Sequence, residues 1–74
     1  MTAHKPVFKP GDRIVAATPD DERYHGLRGT VANYSALHDD YLVQFDDRLW
    51  NMVWLGPEAL HPLSLLEILA EESR

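Results

Sequence analysis

The residues best suited to acid–base or metal chemistry in this chain are its histidines and its adjacent aspartates. The histidines stand singly, without the paired spacing of metal ligands, and the chain contains no cysteine. Adjacent aspartates on polar turns face water, whereas a catalytic carboxylate pair needs a dry cleft that separates the two pKa values. The sequence therefore predicts no catalytic residue, no metal site and no bound cofactor. The residues considered are His4, His25, His38, His61, the pair Asp39 and Asp40, and the pair Asp46 and Asp47.

The large aromatic side chains are more informative than the titratable ones. A chain of 74 residues encloses only a small core, so that several large rings have to lie at its surface. We predict a shallow partner-binding groove formed by Tyr24, Tyr34, Trp50 and Trp54, with acidic loops around it that favour a basic or proline-rich peptide. The alternative is that both indoles pack beneath the first loop or beneath the C-terminal helix.

The elements that position these rings are predicted to be short strands. Four segments rich in β-branched and aromatic residues are separated by polar, turn-forming stretches, which is typical of antiparallel strands. They cover residues 12–17, 28–34, 41–45 and 49–55, and a one-turn helix is expected at 58–60. The stretch 18–26 predicts a long first loop, and Gly26 and Gly29 indicate a bulge or a close backbone approach where that loop enters the second strand.

The C-terminal segment changes from strand to helix periodicity. Ser64 followed by Glu67 matches a capping box, and the apolar stripe Leu65, Leu66, Ile68 and Leu69 follows at helical spacing. We expect this stripe to dock, with Glu67, Glu71 and Glu72 left outside. It docks either on the chain's own sheet or on a second copy or partner, and the sequence leaves both possibilities open.

Composition limits the domain organisation and the class of partner. We predict a flexible N-terminal arm over residues 1–9, one small barrel over 10–62 and an amphipathic helix over 63–74. The net charge of −5 disfavours a polyanionic partner such as nucleic acid. No segment has the length and hydropathy of a membrane span or a signal peptide, so a cytoplasmic location is the expectation.

Three further segments read Lys9-Pro-Gly-Asp-Arg-Ile-Val, Gly26-Leu-Arg-Gly-Thr-Val and Tyr41-Leu-Val-Gln-Phe-Asp. They resemble the SH3-like small barrels, a group that includes KOW modules, Tudor-like domains and plasmid-borne type II dihydrofolate reductases. The resemblance covers about residues 9 to 61. It implies a five-stranded SH3-like barrel, and together with the short C-terminal α-helix predicted above this gives a mainly β fold. Such motifs belong to a fold and do not by themselves specify chemistry.

The strand pattern is most similar to that of the type II reductases, which are homotetramers with a shared central pore. In those enzymes a Val-Gln-Ile-Tyr strand lines the pore. The corresponding segment here, Met52-Val-Trp-Leu55, has neither the glutamine nor the tyrosine. The resemblance therefore implies the reductase architecture without its catalytic residues.

The preferred functional hypothesis is a non-catalytic interaction module that binds a protein or peptide and self-associates through the fourth strand and the helix. One alternative is a KOW-like nucleic-acid-binding module that uses Lys5, Lys9, Arg13 and Arg28. The other is a pore enzyme of the type II reductase kind, which would require oligomerisation.

Overall fold

The computed structural model describes residues 7–47 and 52–73. In this part of the chain the strands are β1 (Arg13–Ala16), β2 (Arg28–Ser35), β3 (Asp40–Phe45), β4 (Val53–Leu55) and β5 (Leu60–Pro62). A 3₁₀ turn at Pro57–Ala59 joins β4 to β5, and the helix α1 spans Leu65–Glu72. No helix among these residues is long and apolar enough to cross a lipid bilayer.

The strands form one antiparallel sheet in the order β4-β3-β2-β1-β5. Consecutive strands β1 to β4 are neighbours, and the chain then returns to place β5 on the other side of β1, with Val15 opposite His61. Strands β4 and β5 are the two edges of this sheet. A mainly β fold with five strands and a short C-terminal helix is therefore confirmed.

The core lies on one face of the sheet, since fully buried residues alternate with less buried ones along β1 and β3. Ile14, Val43 and Val31 have less than 2% of their surface exposed. The other buried apolar residues are Phe8, Ala16, Tyr41, Phe45, Leu60 and Leu63, and no polar or charged residue of the described ranges is buried. Phe8 belongs to the segment predicted to be an arm, yet its ring meets Tyr41 edge-on with centroids 5.4 Å apart.

The predicted strands correspond to observed ones, with shifts of one residue at the ends of the first three. The fourth was predicted over 49–55 and begins at Val53, while residues 48–51 lie outside the described ranges. The expected turn of helix at 58–60 is a 3₁₀ turn that ends one residue earlier. Leu60 instead opens β5, a strand that the sequence pattern did not locate.

The close backbone approach predicted around Gly29 is confirmed. A Cβ atom added to Gly29 would lie 2.8 Å from the Gln44 carbonyl oxygen and 2.9 Å from Val43 Cγ1 on the neighbouring strand. Gly26 has a φ of +85°, which a residue with a side chain rarely adopts. These two glycines let the first loop re-enter the sheet at the start of β2.

Candidate functional site

Tyr24 lies in the first loop and packs against the sheet at the Phe45 end of β3. Its ring stacks on that of Phe45, with centroids 5.8 Å apart and planes 4° from parallel. The Arg23 guanidinium lies 5.0 Å from the centroid of the Tyr24 ring. Tyr24 is only partly exposed, and it covers one end of the core.

Tyr34 lies at the other end of β3. It is directly opposite Tyr41 in the sheet, with ring centroids 4.8 Å apart, and its hydroxyl donates to the Asp39 carboxylate at 2.9 Å. The ring is 42% exposed. Since Tyr41 and Phe45 are four residues apart, Tyr24 and Tyr34 pack on positions separated by about 13 Å along the strand.

A β-bulge determines the face on which Tyr34 lies. The pairing register between β2 and β3 shifts between Val31 and Asn33, so that Asn33 faces Leu42 and Tyr34 faces Tyr41. Because side chains alternate along a strand, one inserted residue exchanges the faces of every residue beyond it. Tyr34 therefore shares the face of the core residue Tyr41.

Trp54 lies on the opposite face of the sheet from Tyr34. It is paired with Leu42 on β3, whereas the adjacent positions of β4 face Tyr41 and Val43 in the core. Trp54 is 49% exposed. Of the four predicted groove residues, the structure thus distributes Tyr24, Tyr34 and Trp54 over two ends and two faces of the sheet, and Trp50 lies outside the described residues.

A surface cavity lies beside Trp54. Its volume is about 520 Å³, and Ser35, His38, Asp40 and Trp54 line it. Ser35 and Asp40 are paired across β2 and β3, so that the cavity lies where this hairpin turns. We call it the Trp54 cavity.

The helix α1 begins as the sequence predicted. Ser64 accepts a hydrogen bond from the Glu67 backbone N–H at 3.2 Å, and the Glu67 carboxylate accepts one from the Ser64 N–H at 3.2 Å. This capping box fixes the first turn of the helix. The helix then runs for eight residues and has no buried residue.

The apolar side of α1 is largely exposed in the described part of the chain. Leu65, Leu66 and Leu69, which we call the leucine face, are 71%, 79% and 47% exposed, and Ile68 is partly exposed. Glu67 and Glu71 instead turn toward the sheet. The expectation that Glu71 lies outside is therefore wrong, whereas Glu67 and Glu72 are exposed as expected. Leu65, Leu66 and Leu69 are not part of the chain's own core.

Five side chains hold α1 against the sheet, and we call them the charge cluster: Arg13, Arg28, Asp46, Glu67 and Glu71. Arg13 is central, because its guanidinium donates to Glu71 at 3.1 and 2.5 Å and to Asp46 at 2.9 and 2.7 Å. Arg28 adds a contact of 3.3 Å to Glu71 and a longer one of 3.8 Å to Glu67. A polar surface cavity of about 580 Å³ lies between the helix and the sheet at this point.

These contacts stabilise the charged forms of the cluster. Hydrogen bonds to Asp46 and then to Glu71 raise the pKa of Arg13. The hydrogen bond from Arg13 lowers the pKa of Glu71, and Arg28 adds to this effect. The pKa of Glu67 is lowered mainly by the backbone and side-chain hydrogen bonds from Ser64. The contacts therefore favour the charged forms of Arg13, Glu67 and Glu71.

The sequence contained one signal for this cluster. Glu67 and Glu71 are four residues apart, and they therefore share a face of any helix formed there. The arginines that pair with these glutamates are Arg13 on β1 and Arg28 on β2. The two arginines lie close together only because of the register in which β1 and β2 pair.

No family model matches the chain, and no curated protein matches it in sequence.

The basic residues proposed for nucleic-acid binding are engaged elsewhere. Lys9 pairs with Asp12 at 3.2 Å, and Arg13 and Arg28 belong to the charge cluster. The one remaining Lys or Arg of the described ranges, Arg23, pairs with Asp21 at 2.8 Å. Lys5 lies outside those ranges. All four described basic side chains are thus paired with carboxylates.

The histidines are placed as isolated side chains. His25 Nδ1 accepts a hydrogen bond from the Thr18 N–H at 3.1 Å and so helps to close the first loop. His38 lies in the turn between β2 and β3, His61 is exposed on β5, and His4 is outside the described residues. Among the described residues no three His, Asp or Glu side chains are grouped so that they could hold a metal ion.

Proposed function

We propose that this chain is a small SH3-like interaction module that self-associates through the leucine face of α1. The barrel assignment is supported by the strand order, in which β5 returns to pair with β1 after a meander of four strands. The long first loop and the 3₁₀ turn before β5 are consistent with it. The main support for self-association is a single observation, which is the outward orientation of Leu65, Leu66 and Leu69.

An isolated eight-residue helix is unstable in water and needs tertiary contacts. Here the contacts to the chain's own sheet are ionic and involve the glutamate side of α1, and Leu65, Leu66 and Leu69 on the apolar side stay largely exposed among the described residues. Exposed leucines at helical spacing are the ordinary surface for pairing with another helix. A second copy of this chain presents the same exposed leucine face on its own α1 helix.

The charge cluster also makes a symmetric pairing electrostatically acceptable. Two copies of α1 would otherwise bring acidic side chains together, since the helix contains Glu67, Glu71 and Glu72. Arg13 and Arg28 pair with the first two within each chain and so reduce the negative charge of the helix. Two identical leucine faces can then meet around a twofold axis, which is the usual geometry of a homodimer.

The expected affinity is modest because the helix is only about 12 Å long. Burying each leucine is worth about 1.5–3 kcal/mol, and association costs several kcal/mol that offset much of this gain. We expect a dissociation constant on the order of 10–1000 µM.

Light scattering of the purified chain tests the proposal. The parent is expected to show a mass that rises with concentration, and Leu66→Glu is expected to remain a monomer because it places a charge in the apolar contact. Leu37→Glu is the matched control, since Leu37 is 86% exposed in the turn between β2 and β3. Equal behaviour of the two variants would refute the proposal.

A further inference from the structure

The Trp54 cavity has a composition that differs from both the core and the charge cluster. One wall is an indole that is 49% exposed, and the others are Ser35, His38 and Asp40. A large aromatic ring left half-exposed beside polar groups is typical of a ligand-binding surface.

The charge available in this cavity selects the class of ligand. Asp40 makes no ion pair with any Lys or Arg of the described ranges, because Lys9, Arg13, Arg23 and Arg28 are all paired with other carboxylates. Among the described residues, no Lys or Arg lines the cavity. A carboxylate beside an indole face attracts a cation that also presents an apolar or planar surface.

We infer that the Trp54 cavity binds an arginine side chain of a basic peptide. The guanidinium is planar and weakly hydrated, so that it can stack on the Trp54 indole while it donates hydrogen bonds to the Asp40 carboxylate. Lysine carries the same charge on a compact, strongly hydrated ammonium and fits this pair of groups less well. The net charge of −5 attracts a basic peptide to the chain as a whole.

This site is separate from the self-association surface. Asp40 begins β3, and the charge cluster that holds α1 includes Asp46, six residues further along the chain. At the rise of an extended strand these two aspartates are about 20 Å apart. Peptide binding and dimerisation can therefore fail independently in an experiment.

The test is an NMR titration of the full chain with a blocked, glycine-based peptide that contains two arginines. We expect shifts in the backbone amides of Ser35, His38 and Asp40 and in the indole N–H of Trp54, whose signal is assigned with Trp50→Phe. The same peptide with citrulline in place of arginine keeps the shape and removes the charge. It is expected to cause no comparable shifts.

Two variants and one control complete the test. Trp54→Ala is expected to weaken binding at least about fivefold, and Asp40→Asn about two- to fivefold. Asp20→Asn removes the same charge from an exposed position in the first loop and is expected to have a smaller effect than Asp40→Asn. Equal effects of the two aspartate variants, equal binding of the citrulline peptide, or shifts confined to other residues would each overturn the inference. Spectra of the free variants report folding, and Asp40→Asn tests the site even if Trp54→Ala is unfolded.

Discussion

Replacement of Arg13 by methionine tests how α1 is held to the sheet. Arg13 links α1 to the end of β3. Its guanidinium donates hydrogen bonds to Glu71 on the helix and to Asp46 directly after β3, and it also donates to the Thr30 hydroxyl at 3.0 Å. Its side chain is only 20% exposed. Methionine retains the apolar stem and removes the charge together with all of its hydrogen bonds.

The expected loss of stability follows from these contacts. A hydrogen bond to a charged group contributes about 1.5–3 kcal/mol when it is well buried, and an exposed ion pair contributes less than about 1 kcal/mol. The two carboxylate partners of Arg13 are 25% and 56% exposed, so that water replaces part of what is lost. We therefore expect the free energy of unfolding to fall by about 2 kcal/mol, or about 8–16 °C in Tm for a chain of this size.

Urea and thermal unfolding followed by circular dichroism measure this change, and hydrogen exchange at the Ile68 and Ser73 amides reports the helix separately. Arg23→Met is the matched control. Arg23 is 63% exposed and pairs with Asp21 within the same loop, so that its loss is expected to leave the free energy of unfolding almost unchanged. If Arg13→Met is no less stable than Arg23→Met, the charge cluster does not hold the helix as described.

Three further changes have defined outcomes. Glu71 has a folded-state pKa below its ordinary value of 4.5, so its contribution to stability is present above that pH and is lost as the pH falls through the folded pKa. Glu71→Gln should therefore lose less stability between pH 7 and pH 3 than Glu72→Gln in denaturant titrations. Gly29→Ala should lower the free energy of unfolding by about 1–3 kcal/mol in urea, because its methyl group would meet backbone atoms of β3. Since the chain has no cysteine, Leu69→Cys should form a disulfide-linked dimer on mild oxidation faster than Leu37→Cys, as read by non-reducing electrophoresis.

Local patterns predicted those elements whose signals lie within a few residues of one another. Segments rich in β-branched and aromatic residues located β1, β2 and β3 to within one residue, and the capping box at Ser64 placed the start of α1. Gly29 was recognised because only a residue without a side chain allows another strand to pass so close.

The elements that the sequence missed depend on contacts between distant segments. Strand β5 has three residues and ends in Pro62, which is tolerated at the edge of a sheet and gives no strand signal of its own. It exists because Ile14, Val15 and Ala16 supply its partners from the other end of the chain.

The candidate site was only partly predictable for the same reason. An amphipathic helix such as α1 has two faces that can meet a sheet, and the choice depends on whether that sheet presents arginines or apolar residues. Arg13 and Arg28 come together only through the register of β1 and β2. Similarly, the bulge before Asn33 has no sequence signal, and it decides the face of Tyr34.

Sedimentation equilibrium of the unmodified chain, from about 10 µM to about 1 mM, tests self-association most directly. The account predicts that the weight-average mass rises with concentration from 8.5 kDa toward twice that value. A constant mass of one chain over the whole range would contradict it.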